Sequence, residues 1–290
     1  MTHLIRYADA DGRPVTGIVD EDQWVRPLAV PSLSELLTLS LSEIRAVVQA
    51  AADADPPRDR PLRTLPPVDG LTEVWASGVT YRRSRQARIE ESGDADVYAR
   101  VYDAVRPELF FKTVAWRAVG DTDPIGVRAD SPSNTPEPEL ALVLNAAAEI
   151  VGLTVCNDVS SRSIEGANPL YLPQAKIYTG SCALGPGIRP IWEVPDPTNL
   201  TISCTITRDD TAIWTATTST ALLHRRFDDL IEYLFRAMDF PHGAILSTGT
   251  GIVPDLDLSL TAGDIVRIEI DQVGTLTNPV MSVPTRRVAA

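Results

Sequence analysis

From Pro124 onward the sequence divides into short β-patterned runs separated by turn residues: GVRAD, ELALVL, IVGLTV, LTISCTIT, AIWTATTST and DIVRIEI. Strands of this length and spacing build a sandwich or roll, because no single one buries enough apolar surface alone. One helix interrupts them: Phe227, Leu230, Ile231, Leu234, Phe235 and Met238 form an apolar stripe suited to core packing. The expected class is therefore α+β, mainly β, with a β-sandwich roll as its larger part.

The N-terminal residues read as a small α/β unit, expected at 1–67, ahead of a larger unit at 68–290. HLIRYADADGRPVTGIVDEDQWVRPL gives short strands with a turn at Asp11 and Gly12. Ser32 with Glu35, and Ser40 with Glu43, match the capping-box pattern, and Leu41, Ile44, Val47 and Val48 then share one helical face. Pro56, Pro57, Pro61, Pro66 and Pro67 predict a stiff linker, since proline cannot continue a helix. Beyond it, EVWASGV reads as a strand, and YRRSRQARIEESGDADVYARVYDAVRPELFF as a charged helical excursion suited to a lid.

Charge and composition narrow the functional classes. A net charge of −13 argues against a phosphate-backbone ligand, which needs a basic footprint. Cys156, Cys182 and Cys204 are odd in number and lack C-x-x-C spacing, so neither a disulfide framework nor a zinc site is indicated, and a reducing cytoplasm is expected. No stretch predicts a membrane span or a signal peptide. The G-x-S-x-G, H-E-x-x-H and Walker signatures are missing, and the histidines are scattered at positions 3, 224 and 242.

The chemistry concentrates in four residues. Glu137 and Glu139 stand two apart in PEPELALVL, so on a strand their carboxylates share a face, and Asp158 stands where IVGLTV gives way to polar NDVSSR. Three oxygen ligands suit Mg²⁺ or Mn²⁺ rather than zinc, and Lys176 in YLPQAKIYTG is a candidate proton carrier. The run Ser247 to Gly251, STGTG, fits equally an ordinary turn or a loop whose amides and hydroxyls bind a carboxylate.

The order PEPELALVL, CNDVSSR, PQAKIYTGSCALGPGI, ILSTGTGIV and GDIVRIEI resembles the fumarylacetoacetate hydrolase family over roughly residues 70–290. The resemblance implies Mg²⁺, with Mn²⁺ or Ca²⁺ as substitutes, on Glu137, Glu139 and Asp158. It implies a catalytic Lys176, a substrate-contacting Thr250, and a homodimer or homotetramer. Where the family's carbon–carbon hydrolases carry a water-activating histidine, this chain has Ser84, and a serine hydroxyl cannot hold a proton near neutral pH as imidazole does. VYDAVRPELFFK, NPLYLPQAKIYTG and STGTGIVP are instead similar to the family's 2-dehydro-3-deoxy-D-arabinonate dehydratases. That likeness implies Glu108 as a catalytic acid/base, Arg85 as an anion contact, and dehydration of a 2-keto-3-deoxy sugar acid to 2,5-dioxopentanoate through a metal-stabilised enolate. Carbon–carbon hydrolysis or decarboxylation of another 2-keto acid, and plain keto-acid binding, stand as alternatives.

Overall fold

The computed structural model describes residues 2–54, 63–91 and 100–285. Its centre is β9 (Pro138–Leu144), paired antiparallel with β10 (Ile150–Asp158) and with β15 (Ala244–Ser247). Every residue of β9 is buried, which is why ELALVL reads as a continuous apolar run rather than an alternating one. Leu140, Leu142 and Leu144 enter one core, while Ala141 and Val143 enter another on the opposite face.

Outward from β10, the large sheet continues through β12 (Cys182–Pro190), β1 (His3–Ala8), β2 (Pro14–Val19) and β3 (Val25–Pro27), with β4 (Arg63–Leu65) also pairing with β1. The β1–β2 hairpin turns at Asp11 and Gly12 as expected, with Gly12 at φ +78°. In the other direction, β15 pairs parallel with β5 (Glu73–Gly78), which pairs antiparallel with β6 (Glu108–Val114). The sheet curls into a roll: Lys112 on β6 reaches Val159, just past the end of β10, although β9, β15 and β5 lie between those two strands.

A second sheet of five strands packs on the leucine face of β9. It runs from β14 (Thr211–Ser219) through β13 (Thr201–Arg208), β16 (Ile265–Ile270) and β17 (Gly274–Val283) to β7 (Ile125–Arg128). Ile202 and Ile206 of β13 and Val266 and Ile268 of β16 meet Leu140 and Leu142 there. β8 (Asn134–Thr135) and β11 (Ser160–Ser161) form a short pair beside the site.

The other face of β9 is covered by α1 (Leu33–Leu36) and α2 (Leu41–Asp53), whose Leu33, Leu36, Ile44 and Val48 pack with Ala141 and Val143. Ser40 and Glu43 form the full reciprocal capping box, whereas at α1 only the Ser32 hydroxyl acts, accepting from the Glu35 amide. Core contacts thus cross the expected boundary at residue 67. Much of the Pro-rich linker, residues 55–62, and residues 92–99 of the charged excursion lie outside the described residues. The excursion's described start is α3 (Arg82–Glu91). Two short helices, α4 (Arg162–Ala167) and α5 (Leu172–Lys176), follow β11. The Phe227 stripe becomes α6 (Phe227–Phe235) and stops short of Met238, which is exposed; Asp239 and Pro241 follow and end the helical pattern.

Candidate active site

The β9–β10 ladder brings the acidic residues together. Cys156 lies opposite Glu139 and Asn157 opposite Pro138, so Asp158 emerges beside Glu137, and its amide donates to the Glu137 carbonyl at 3.0 Å. One oxygen from each of Glu137, Glu139 and Asp158 falls within 4.8 Å of the others, and all three side chains are buried. They line a narrow cavity together with Ser77, Gly78, Ser84, Arg88, Glu108, Phe110, Glu165, Lys176 and Thr250. A wider open cleft around Thr198, Arg225 and Phe227 holds no such carboxylate cluster.

Lys176, the last residue of α5, donates from Nζ to Glu137 Oε2 at 2.8 Å, Asp158 Oδ2 at 3.1 Å and Ser160 Oγ at 2.6 Å. Burial of the ammonium does act downward, but the charges of Asp158, Glu137 and Glu165 together outweigh it and hold Lys176 well above its usual value. On the far side of the trio, Ser247 Oγ and the Gly249 amide donate to Glu139 Oε2 at 2.6 and 2.8 Å. The STGTG loop therefore presents this amide to Glu139. Burial, then the charges of Asp158, Cys156 and Glu137, push the Glu139 carboxyl well above the ordinary carboxylate range. Glu137 goes the other way, to about 2: burial opposes ionisation, but Lys176 and Arg88 outweigh it.

Sequence reasoning missed Lys112 and Glu165, and it put Arg85 ahead of Arg82, Arg83 and Arg88 as the anion contact. Lys112, fully buried on β6, contacts Asp158 Oδ1 and donates to the Val159 and Lys176 carbonyls at 3.1 and 2.7 Å. Its signal was a lysine inside the apolar run LFFK, where a charge persists only with partners. Arg88 on α3 donates to Glu137 Oε1 at 2.5 Å and pairs with Glu165 Oε2 at 3.1 Å. Arg85 does not line the cavity; its guanidinium stacks on Tyr102 at 5.2 Å, so Arg88 is the arginine this helix brings to the site. Ser84 ties down the start of α3: its hydroxyl donates to the Tyr81 carbonyl at 2.9 Å and accepts from the Tyr81 amide at 3.1 Å.

Glu108 faces the trio from β6, directly opposite Gly78 on β5. Although only partly buried by surface area, its carboxyl is close-packed, and desolvation raises its pKa despite Arg88 and Lys176, which pull it down. Thr250 also lines the cavity, with its hydroxyl 2.9 Å from both the Pro138 and Ile252 carbonyls.

The donor set fits a divalent cation. Five carboxylates, Glu108, Glu137, Glu139, Asp158 and Glu165, meet three cations, Arg88, Lys112 and Lys176, in one buried cluster. Carboxylates converging in such surroundings are costly to ionise together, and a cation held between Glu137, Glu139 and Asp158 would offset that cost. The hard oxygen ligands suit Mg²⁺.

Residues 73–281 match the family model described as fumarylacetoacetate (FAA) hydrolase C-terminal. A probable 2-keto-3-deoxyxylonate dehydratase of Haloferax volcanii is 51% identical over 217 residues, covering 75% of this chain and 74% of that protein. A 2-dehydro-3-deoxy-D-arabinonate dehydratase of Saccharolobus solfataricus is 44% identical over 223 residues, 76% of this chain and 74% of that protein. The solved structure of a 2-keto-3-deoxy-D-arabinonate dehydratase complexed with magnesium and 2,5-dioxopentanoate superposes with a TM-score of 0.85 at 35% identity, covering 98% of this chain and 100% of that one.

Proposed function

Because the chain belongs to the fumarylacetoacetate hydrolase family, we propose that it is a Mg²⁺-dependent hydro-lyase that converts 2-dehydro-3-deoxy-D-arabinonate into 2,5-dioxopentanoate and water. The observation that carries this reading is one cavity lined by the acidic trio, Lys176 and Glu108, whose burial favours its protonated form, with no histidine among the described residues that line it.

Glu137, Glu139 and Asp158 would hold the ion, which when bound would supply Lewis-acid polarisation of a 2-keto acid and so make its C3 hydrogens more acidic. Lys176 Nζ, held beside Glu137 and Asp158, would take a proton from C3 once a bound ion offset the charges of those carboxylates. Glu108 delivers its proton to the C4 hydroxyl as the C4–O bond breaks, so water departs and a C3–C4 double bond forms. Loss of a C5 proton and gain of one at C3 give the enol of the C5 aldehyde, which becomes the aldehyde as C4 gains a proton and the C5 hydroxyl loses its own. Lys112 holds Asp158 and the Lys176 carbonyl in place, and the Thr250 loop forms the wall where the substrate carboxylate enters.

Residues 1–67 serve as a cover on the catalytic unit 68–290, a reading supported by the packing of α1 and α2 on β9. Assembly as a homodimer or homotetramer is supported by edge strand β14, nine residues without a charged side chain and with Ile213 exposed. Three buried, unbridged cysteines support a reducing cytoplasm.

Incubation with 2-dehydro-3-deoxy-D-arabinonate and Mg²⁺, followed by mass spectrometry, should yield 2,5-dioxopentanoate. Release of CO₂ or pyruvate from other 2-keto acids, without that product, would replace the dehydratase with a decarboxylase or carbon–carbon hydrolase.

A further inference from the structure

Arg88 has no part in the proton transfers above, yet it is the only guanidinium among the described residues that line the cavity. It stands one helical turn after Ser84 and is buried. Its two terminal nitrogens go to different elements: Nη2 lies 2.5 Å from Glu137 Oε1, ahead of β9, and Nη1 lies 3.1 Å from Glu165 Oε2 on α4. Glu137's second oxygen is taken by Lys176 at 2.8 Å. Glu165 is buried and outside the acidic trio.

Two physical consequences follow. A divalent cation approaching Glu137 competes with Arg88 for that carboxylate. A guanidinium displaced from Glu137 still stays in the cavity, because Glu165 pairs with it and a buried charge does not give up its last partner. The geometry points to Arg88 as an anion anchor switched by cation binding: displaced from Glu137, retained by Glu165, and turned over to the carboxylate of a 2-keto acid. This rests on the reading of the cavity as a 2-keto acid site. The planar fork of a guanidinium suits a carboxylate, and its charge does not titrate in the working range. Metal and substrate then bind cooperatively through a protein side chain as well as through direct chelation.

Isothermal titration calorimetry with Mg²⁺ alone, and with pyruvate on Mg²⁺-saturated protein, tests this without turnover, since pyruvate carries no leaving hydroxyl. Arg88→Met should tighten Mg²⁺ binding, by relieving the competition, and weaken pyruvate binding about 10- to 100-fold, the worth of a charged hydrogen bond. A merely structural role weakens both, and that result, or unchanged pyruvate affinity, overturns the inference. Glu165→Gln leaves Arg88 to Glu137 alone and should weaken both ligands; if circular dichroism shows Arg88→Met unfolded, unchanged pyruvate affinity in Glu165→Gln overturns it. Turnover of the sugar acid by the wild-type protein is scored separately. Opposite shifts without turnover keep the anchor and reject the dehydratase, whereas turnover with parallel shifts does the reverse.

Discussion

Gly78 tests whether Glu108 acts where it is placed. The two residues are cross-strand partners in the β5–β6 ladder, and the Ser77 hydroxyl, one residue earlier, donates to the Glu108 carbonyl at 2.9 Å. A Cβ on residue 78 would lie 2.2 Å from Glu108 Oε2 and 2.7 Å from its Cδ. Both distances are about 1 Å inside ordinary van der Waals contact, so in Gly78→Ala the carboxyl must retreat by about that much. A misplacement of about 1 Å at a reacting group costs on the order of 10²-fold in rate, and loss of a general acid costs about 10²–10⁴-fold. What moves is the end of a side chain rather than the backbone, and alanine is favoured over glycine within a strand by about 0.5–1 kcal/mol, so thermal stability should hold. Steady-state kinetics on the sugar acid should therefore show kcat about 100-fold lower in Gly78→Ala with an unchanged melting temperature. In the Glu108→Gln background the same substitution should cost no more than about twofold, because both changes remove one function. Wild-type kcat in Gly78→Ala, or an equal loss in both backgrounds, would refute the placement of Glu108 in the chemistry.

Three further outcomes follow from the same geometry. Glu139 holds its proton to higher pH than an ordinary carboxyl, and a metal ligand must give it up; Mg²⁺ affinity measured by calorimetry should therefore fall as pH falls, by up to about tenfold per unit for each proton displaced, and chelation with EDTA should abolish product. Gly249 sits at φ +91° with its virtual Cβ 2.0 Å from Thr80 Oγ1, so Gly249→Ala should lose about 1–3 kcal/mol in denaturant unfolding and weaken Mg²⁺ binding as its amide leaves Glu139. Leu142→Ala, at a fully buried position between the two sheets, should cost about 2–5 kcal/mol in the same unfolding assay while leaving KM unchanged.

Local pattern accounts for much of what the chain reveals unaided. The two-residue spacing brings Glu137, just ahead of β9, and Glu139, on it, to one cluster, the polar switch after IVGLTV marks the end of β10 at Asp158, and Ser40 with Glu43 caps α2. Each of these depends on residues a few positions apart, which is the range sequence reading commands. Arg85 and Arg88 show the limit. Both lie on α3, and only the seating of that helix, fixed through Ser84 and Tyr81, turns Arg88 to Glu137 and Arg85 to Tyr102. The state of Lys176 was equally hidden, because it is set by the charges of Asp158, Glu137 and Glu165 around it.

The sequence by itself determined the β-rich class, the acidic trio and the lysine, since strand periodicity and oxygen ligation are properties of residue types and short spacings. Only the tertiary structure decided the charge balance of the site. Lys112 meets Val159 and Asp158 because the sheet rolls β6 round to the end of β10, and Glu165 meets Arg88 because α4 and α3 close on the same cavity. Electrostatic energies depend on distance through space and on local burial, and neither is written in the order of residues along the chain.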